Sequence, residues 1–141
     1  MQEFDALKLD HQLCFPLYAA SREVVRQYHP LLSALDLTYT QYLAMLVLWE
    51  DAPCSAKELG NRLYLDSGTL TPVLKSLEKK GLVRRARAKE DERVLMLELT
   101  EAGLALRRQA VGIPAALSSC MPLEPAEAME LYRLLYKILG K

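Results

Sequence analysis

The sequence predicts a mainly helical α+β fold with one small β-hairpin, and three observations carry that prediction. Leu70, Val73, Leu74 and Leu77 recur at i, i+3, i+4 and i+7, which is the apolar stripe of a helix. Lys79-Lys80-Gly81 closes this helix, with lysines suited to its negative end and a glycine suited to a left-handed cap. Beyond it, Leu82 to Arg87 and Arg93 to Leu99 read as two strands joined by a charged turn. With a short helix just before the striped one, the series reads as a winged helix-turn-helix, flanked by helices at both ends of the chain.

At 141 residues, 51% hydrophobic and 26% charged, the chain fits one globular domain with a real core. The longest apolar run, Tyr42 to Trp49, is too short to cross a membrane. The stretch MQEFDALKLD carries acids where a signal peptide needs bases, so a cytoplasmic protein is expected. Three widely spaced cysteines, Cys14, Cys54 and Cys120, argue against a disulfide framework and a structural zinc site. His11 and Cys14 could both touch a metal at i, i+3, but no second Cys/His pair completes a site, and no metal or cofactor is expected.

Taken in order, residues 5 to 32 read as a long helix in which Leu13, Leu17, Ala20, Val24 and Leu31 keep helical spacing. Pro16 places its regular start near Leu13. His29-Pro30 signals a break, because a residue before proline is pushed away from helical geometry. Thr38 or Thr40 caps the next helix, roughly Tyr39 to Glu50, which is apolar around most of its circumference and therefore central. Ser55-Ala56-Lys57-Glu58 matches a capping box and opens a short helix to about Tyr64. The striped helix starts near Ser67 or Thr69, the later start placing Pro72 in its first turn. In the returning strand Leu95, Leu97 and Leu99 face inward. Thr100-Glu101 caps a further helix, Gly112 and Pro114 disturb it, Cys120 to Pro125 interrupts it, and a last helix runs from about Ala126. Its broad apolar face calls for a partner subunit. The expected organisation is one domain over 1–141, with dimerisation helices at about 5–32 and 101–141 around a winged helix-turn-helix at about 39–99.

A net charge of zero speaks against nucleic acid until its distribution is considered. Residues 75 to 93 hold eight bases against four acids, locally +4. A helix that reads DNA needs small polar groups at its N-terminal end, and Ser67, Thr69 and Thr71 supply them, with Lys75 one turn on. The hairpin adds Arg84, Arg85, Arg87, Lys89 and Arg93, and Asp91 is placed to pair with Arg93 at the tip.

Cys14 lies at or near a helix N-terminus, where free amides favour the thiolate that attacks peroxides. Tyr18 is one turn away on its face, Tyr28 returns to within about 40 degrees of that face, and Tyr39 opens the next helix. Phenols of this kind can donate to a thiolate. Read from the residues alone, Cys14 fits a small buried hydrophobe better than a reactive thiol.

Tyr64 to Arg93, with LDSGTLTPVLKSLEKKGLV and the DER wing, resembles the MarR family of dimeric winged-helix repressors. LDHQLCFPLYAASREV and LTYTQYLAMLVLWE resemble its organic-hydroperoxide-sensing branch. The resemblance covers nearly the whole chain. It implies a homodimer on double-stranded operator DNA, with Ser67 to Lys75 in the major groove and Arg93, oriented by Asp91, in the minor groove. It also implies that Cys14 is the sensor of an organic hydroperoxide and that Tyr28 and Tyr39 reach it from the partner subunit, with Tyr18 as a lesser member. Some members of the branch form an intersubunit disulfide with a cysteine at the place of Cys120, and others use a small external thiol. The expected function is a repressor that releases its operator on oxidation, and not an enzyme. Two other readings are a repressor of the same fold that answers a small aromatic ligand, and a thiol peroxidase, against which the basic wing speaks.

Overall fold

The computed structural model describes residues 2–141. Two single 3₁₀ turns, Asp5–Leu7 and Leu9–His11, lead into α1 (Cys14–Ser33). There follow α2 (Tyr39–Asp51), β1 (Cys54–Ser55), α3 (Ala56–Leu63), α4 (Ser67–Lys79), β2 (Val83–Arg87) and β3 (Leu95–Leu99). The chain ends with α5 (Glu101–Ala110), α6 (Ile113–Cys120) and α7 (Pro125–Ile138). The strands form one antiparallel sheet in the order β1-β3-β2. The sheet therefore has a strand more than the expected hairpin. Cys54, read as part of a turn, pairs with Leu97 and is buried.

Helix α2 is the centre of the core, as its near-continuous apolar sequence requires. Tyr42, Ala44, Met45, Val47 and Leu48 are buried against Leu59, Leu70, Leu74, Leu77, Val83 and Leu97. Burying a leucine of the α4 stripe contributes about 1.5–3 kcal/mol, so the stripe fixes which face of α4 is left for solvent. The start of α2 is fixed locally: Thr38 accepts from the Gln41 amide at 3.3 Å while the Gln41 side chain accepts from the Thr38 amide at 3.1 Å. The Ser55–Glu58 pair does the same for α3.

Two prolines behave differently from expectation. Pro30 does not end α1, which continues to Ser33. Only one amide bond is lost, one turn from the helix end, and Ser33 Oγ donates to the His29 carbonyl at 2.8 Å in that same turn. Helix α4 begins at Ser67, so Pro72 lies in its second turn. The cap is Asp66, whose carboxylate accepts from the Thr69 amide at 2.8 Å. This early, strong cap outweighs the preference of Pro72 for a first-turn position.

Between α3 and α4 the chain turns through Tyr64 at φ 56°, and the Leu65 amide returns to the Gly60 carbonyl at 3.0 Å. A second tight junction joins the wing to α5. Thr100 donates through its amide and its hydroxyl to the carbonyls of Leu82 and Gly81, and Trp49 Nε1 donates to the Gly103 carbonyl at 2.9 Å. These contacts tie α2, the end of α4 and the start of α5 into one unit.

The two ends of the chain bury little. In α1 only Leu32 is buried, and in α7 no residue is. Leu13, Phe15, Leu17, Met129, Leu131, Leu134 and Ile138 remain exposed. The apolar spacing that predicted these helices is real, but within one chain nothing among the described residues covers it. No helix among those residues is long and apolar enough to cross a membrane.

Candidate nucleic-acid interface and thiol site

With Leu70, Leu74 and Leu77 turned inward, α4 presents Ser67, Thr69, Thr71 and Lys75 to solvent. Ser67, Thr71 and Lys75, each one turn from the next, line one wall of an open groove of about 540 Å³, with Lys57 and Asn61 from α3 and Arg87 from β2 on the others. Lys57 and Asn61 were not assigned to the site from sequence, because only the fold brings α3 to the same groove as α4 and the wing. Thr71 Oγ1 donates to the Ser67 carbonyl at 2.7 Å, leaving its lone pairs outward as acceptors.

Arg93 is 91% exposed at the wing tip, and Asp91 holds it by two side-chain contacts at 3.0 and 3.2 Å while also accepting from the Arg93 amide at 3.0 Å. The Arg93 guanidinium keeps the Asp91 carboxyl below its ordinary pKa. The arginine is thus aimed before any partner arrives. Arg85 also lines the groove, but its guanidinium is engaged within the chain. It pairs with Leu97 across the strands and so points to the inner face of the wing. Its side chain is 23% exposed and donates to Glu78 of α4 at 2.9 Å, fastening the wing to the helix and leaving little of the charge for phosphate.

Cys14 is the first residue of α1, exposed, and no side chain caps that helix end. Tyr18 lies one turn on and stacks under the Arg22 guanidinium at 5.5 Å. Tyr28 is fourteen residues beyond Cys14, about 21 Å along the helix at 1.5 Å per residue. It is therefore remote from the thiol of its own chain. It packs instead on Tyr39 at 4.9 Å between ring centres and on Tyr42 at 5.6 Å, a third tyrosine to which the sequence reading gave no part in the thiol site. Cys120 ends α6 and is exposed and unbonded, whereas burial pushes the Cys54 thiol up in pKa and keeps it protonated.

Burial, and then the neighbouring phenols, push Tyr28 up to about 12, and burial raises Tyr39 and Tyr42 as well. All three stay protonated donors at neutral pH. A raised folded-state pKa stabilises the fold below the unfolded value of 10, and the gain is lost as pH rises through the interval to about 12. Stability measured by urea unfolding is expected to fall across that interval, and less steeply in Tyr28→Phe.

Comparison with known proteins agrees with this geometry. Residues 26–107 match the family described as "Transcriptional regulator SarA/Rot". The "Organic hydroperoxide resistance transcriptional regulator" of Bacillus subtilis (strain 168) is 48% identical over 97% of this chain and 93% of its own length. The chain is a MarR-type transcriptional regulator. Among solved structures, the regulator is similar to reduced AbfR bound to DNA, at 36% identity and a TM-score of 0.81, covering 99% of this chain and 95% of that one. The disulfide form of AbfR, a protein of Staphylococcus epidermidis, matches at a TM-score of 0.67 over 97% and 96%. The conformation of this regulator is thus nearer to the reduced, DNA-bound relative than to the disulfide one.

Proposed function

We propose that the regulator is a homodimeric repressor that binds double-stranded operator DNA while Cys14 is reduced and releases it when an organic hydroperoxide oxidises that thiol. The observation that carries this reading is the position of Cys14, exposed at an uncapped helix N-terminus, in a chain whose α4 and wing form a basic groove. The first backbone amides of such an end have no intrahelical acceptor and are left to donate to the sulfur or to an oxidant beside it.

The thiolate attacks the distal peroxide oxygen, the O–O bond breaks, and the leaving alkoxide takes a proton to become an alcohol. Cys14 is then a sulfenic acid. A second thiol, that of Cys120 on the partner subunit, attacks its sulfur and expels water to give a disulfide. Each oxidation consumes one peroxide without turnover, so the chain works as a regulator and not as an enzyme.

The uncovered apolar faces of α1 and α7 support the division into dimerisation helices at about 5–32 and 101–141 around the DNA-binding part at about 39–99. A two-fold dimer that runs one α1 against the other brings the Tyr28 end of one subunit to the Cys14 end of its partner, which a single chain cannot do. Tyr28 and Tyr39 then act as donors to the thiolate, and Tyr18 flanks it. On DNA, Ser67, Thr69, Thr71 and Lys75 face the major groove and Arg93 the minor groove, with half-sites about 10 base pairs apart. Arg93→Ala is expected to weaken operator binding by about 5- to 150-fold, and Asp91→Ala to reproduce part of the loss by releasing the arginine; fluorescence anisotropy at fixed salt measures both.

The test of the function is a gel shift of the full chain against DNA from its own promoter, reduced and after organic hydroperoxide. Tight binding only in the reduced state supports it, and equal binding in both states removes it. A second reading rests on an apolar cavity of about 280 Å³ between α2 and α5, lined by Tyr42, Leu46, Trp49, Arg107 and Val111. A small aromatic ligand filling it would release DNA without any change at Cys14.

A further inference from the structure

The buried polar residue Gln41 takes no part in the groove or the thiol site, yet it joins α2 to α4. It is 7% exposed, two residues after Tyr39 in the first turn of α2. Its Oε1 accepts from the Thr38 amide at 3.1 Å and from Lys80 Nζ at 2.9 Å, and its Nε2 donates to Ser76 Oγ at 2.9 Å. Two donors on one side and a hydroxyl on the other fix the orientation of the amide. Lys80, at the C-terminal cap of α4, also donates to the carbonyl of Asp36, the residue at φ 54° that turns the chain from α1 into α2. Its ammonium is thereby drawn inward and away from the DNA-facing groove.

We propose that Gln41 and Lys80 are positioning residues that transmit the state of the α1–α2 corner to the recognition helix α4. The proposal rests on the redox reading above. The tyrosines assigned there to the thiol, Tyr28 and Tyr39, pack on each other at this same corner, so a change at the thiol reaches Thr38 and Gln41 through Tyr39. The remaining contact between α2 and α4 is apolar, through Leu70, Leu74 and Leu77. Apolar packing is non-directional and allows one helix to slip on another. Hydrogen bonds from Gln41 to Ser76 and Lys80 set a fixed register instead. They make the orientation of α4 follow the corner.

The experiment compares operator affinity before and after organic hydroperoxide in the wild type, Lys80→Met, Gln41→Leu and Gln41→Glu, with thermal unfolding of each. In the wild type, oxidation should lower affinity by a factor in the ordinary range of allosteric coupling, about 5- to 150-fold. Lys80→Met and Gln41→Leu should keep the reduced-state affinity and lose most of that factor. Gln41→Glu should retain it, because a carboxylate still accepts from Lys80 and Thr38 and the Ser76 hydroxyl can donate to it. A wild-type factor in Lys80→Met, which changes a half-buried side chain and leaves its apolar stem, overturns the proposal even if Gln41→Leu fails to fold. Equal loss of affinity in both redox states also overturns it, since that marks a merely structural role. A wild type that ignores oxidant overturns the redox reading and this inference with it.

Discussion

Replacing Cys14 by serine is expected to leave operator binding by the reduced protein intact and to abolish its release by organic hydroperoxide. The sulfur and oxygen side chains are nearly equal in size, and the site is exposed at the first residue of α1, so little packing changes. A serine hydroxyl is not ionised near neutral pH and does not attack the peroxide oxygen. The wild type should lose on the order of 5- to 150-fold in affinity on oxidation, and the variant none. Anisotropy titration with hydroperoxide reads this directly, and continued release in Cys14→Ser would exclude the thiol as the sensor. Cys120→Ser gives a graded companion result: the crosslinked dimer on non-reducing gels should vanish, while release by sulfenic acid or an external thiol is retained.

The largest effect on stability is expected from Gly103→Ala. A Cβ at this position would lie 2.1 Å from the carbonyl oxygen of Leu82 and 3.3 Å from Leu99 Cδ2. The first obstacle is backbone and cannot rotate away. The same carbonyl already accepts from the Thr100 amide at 3.1 Å, and Gly103 itself accepts from Trp49. To admit the methyl, α5 must move off the junction and strain all of these bonds. Overpacking of this kind costs about 1–3 kcal/mol and occasionally more. In an exposed helical site the substitution would instead be favourable by roughly 0.5–1 kcal/mol, so the sign of the change is diagnostic. Urea unfolding monitored by Trp49 fluorescence should show a lower midpoint, and an unchanged or higher midpoint would refute the clash.

These two residues differ in how far they could be read from sequence. The placement of Cys14 at a helix start was legible because it depends on local features, a proline two residues on and the apolar spacing that follows, whereas its sensing role came only with the resemblance to the family. Gly103 carries no local signal, since the obstruction comes from Leu82, far away in sequence. The helices themselves were legible for the same local reason. The capping box at Ser55, the threonine cap before α2, which falls on Thr38 and not Thr40, and the leucine stripe of α4 act over one or two turns, and their outcomes match the structure. The prolines misled where a local preference met a stronger term, the Asp66 cap at α4 and continued helix through Pro30.

Sequence by itself therefore determined the order of elements, the winged helix-turn-helix, the family and the presence of a candidate thiol, because periodicity and capping are short-range. Only the tertiary structure decided which charges face outward. Glu78 holds the Arg85 guanidinium and Gln41 draws Lys80 inward, while Lys57 and Asn61 of α3 come to the groove beside Arg85 and Arg87. It also decided that Tyr28 stands about 21 Å from its own Cys14, at 1.5 Å of rise per residue. Helical spacing gives the angle between two side chains at once, but whether they meet depends on the axial distance and on what packs against the helix.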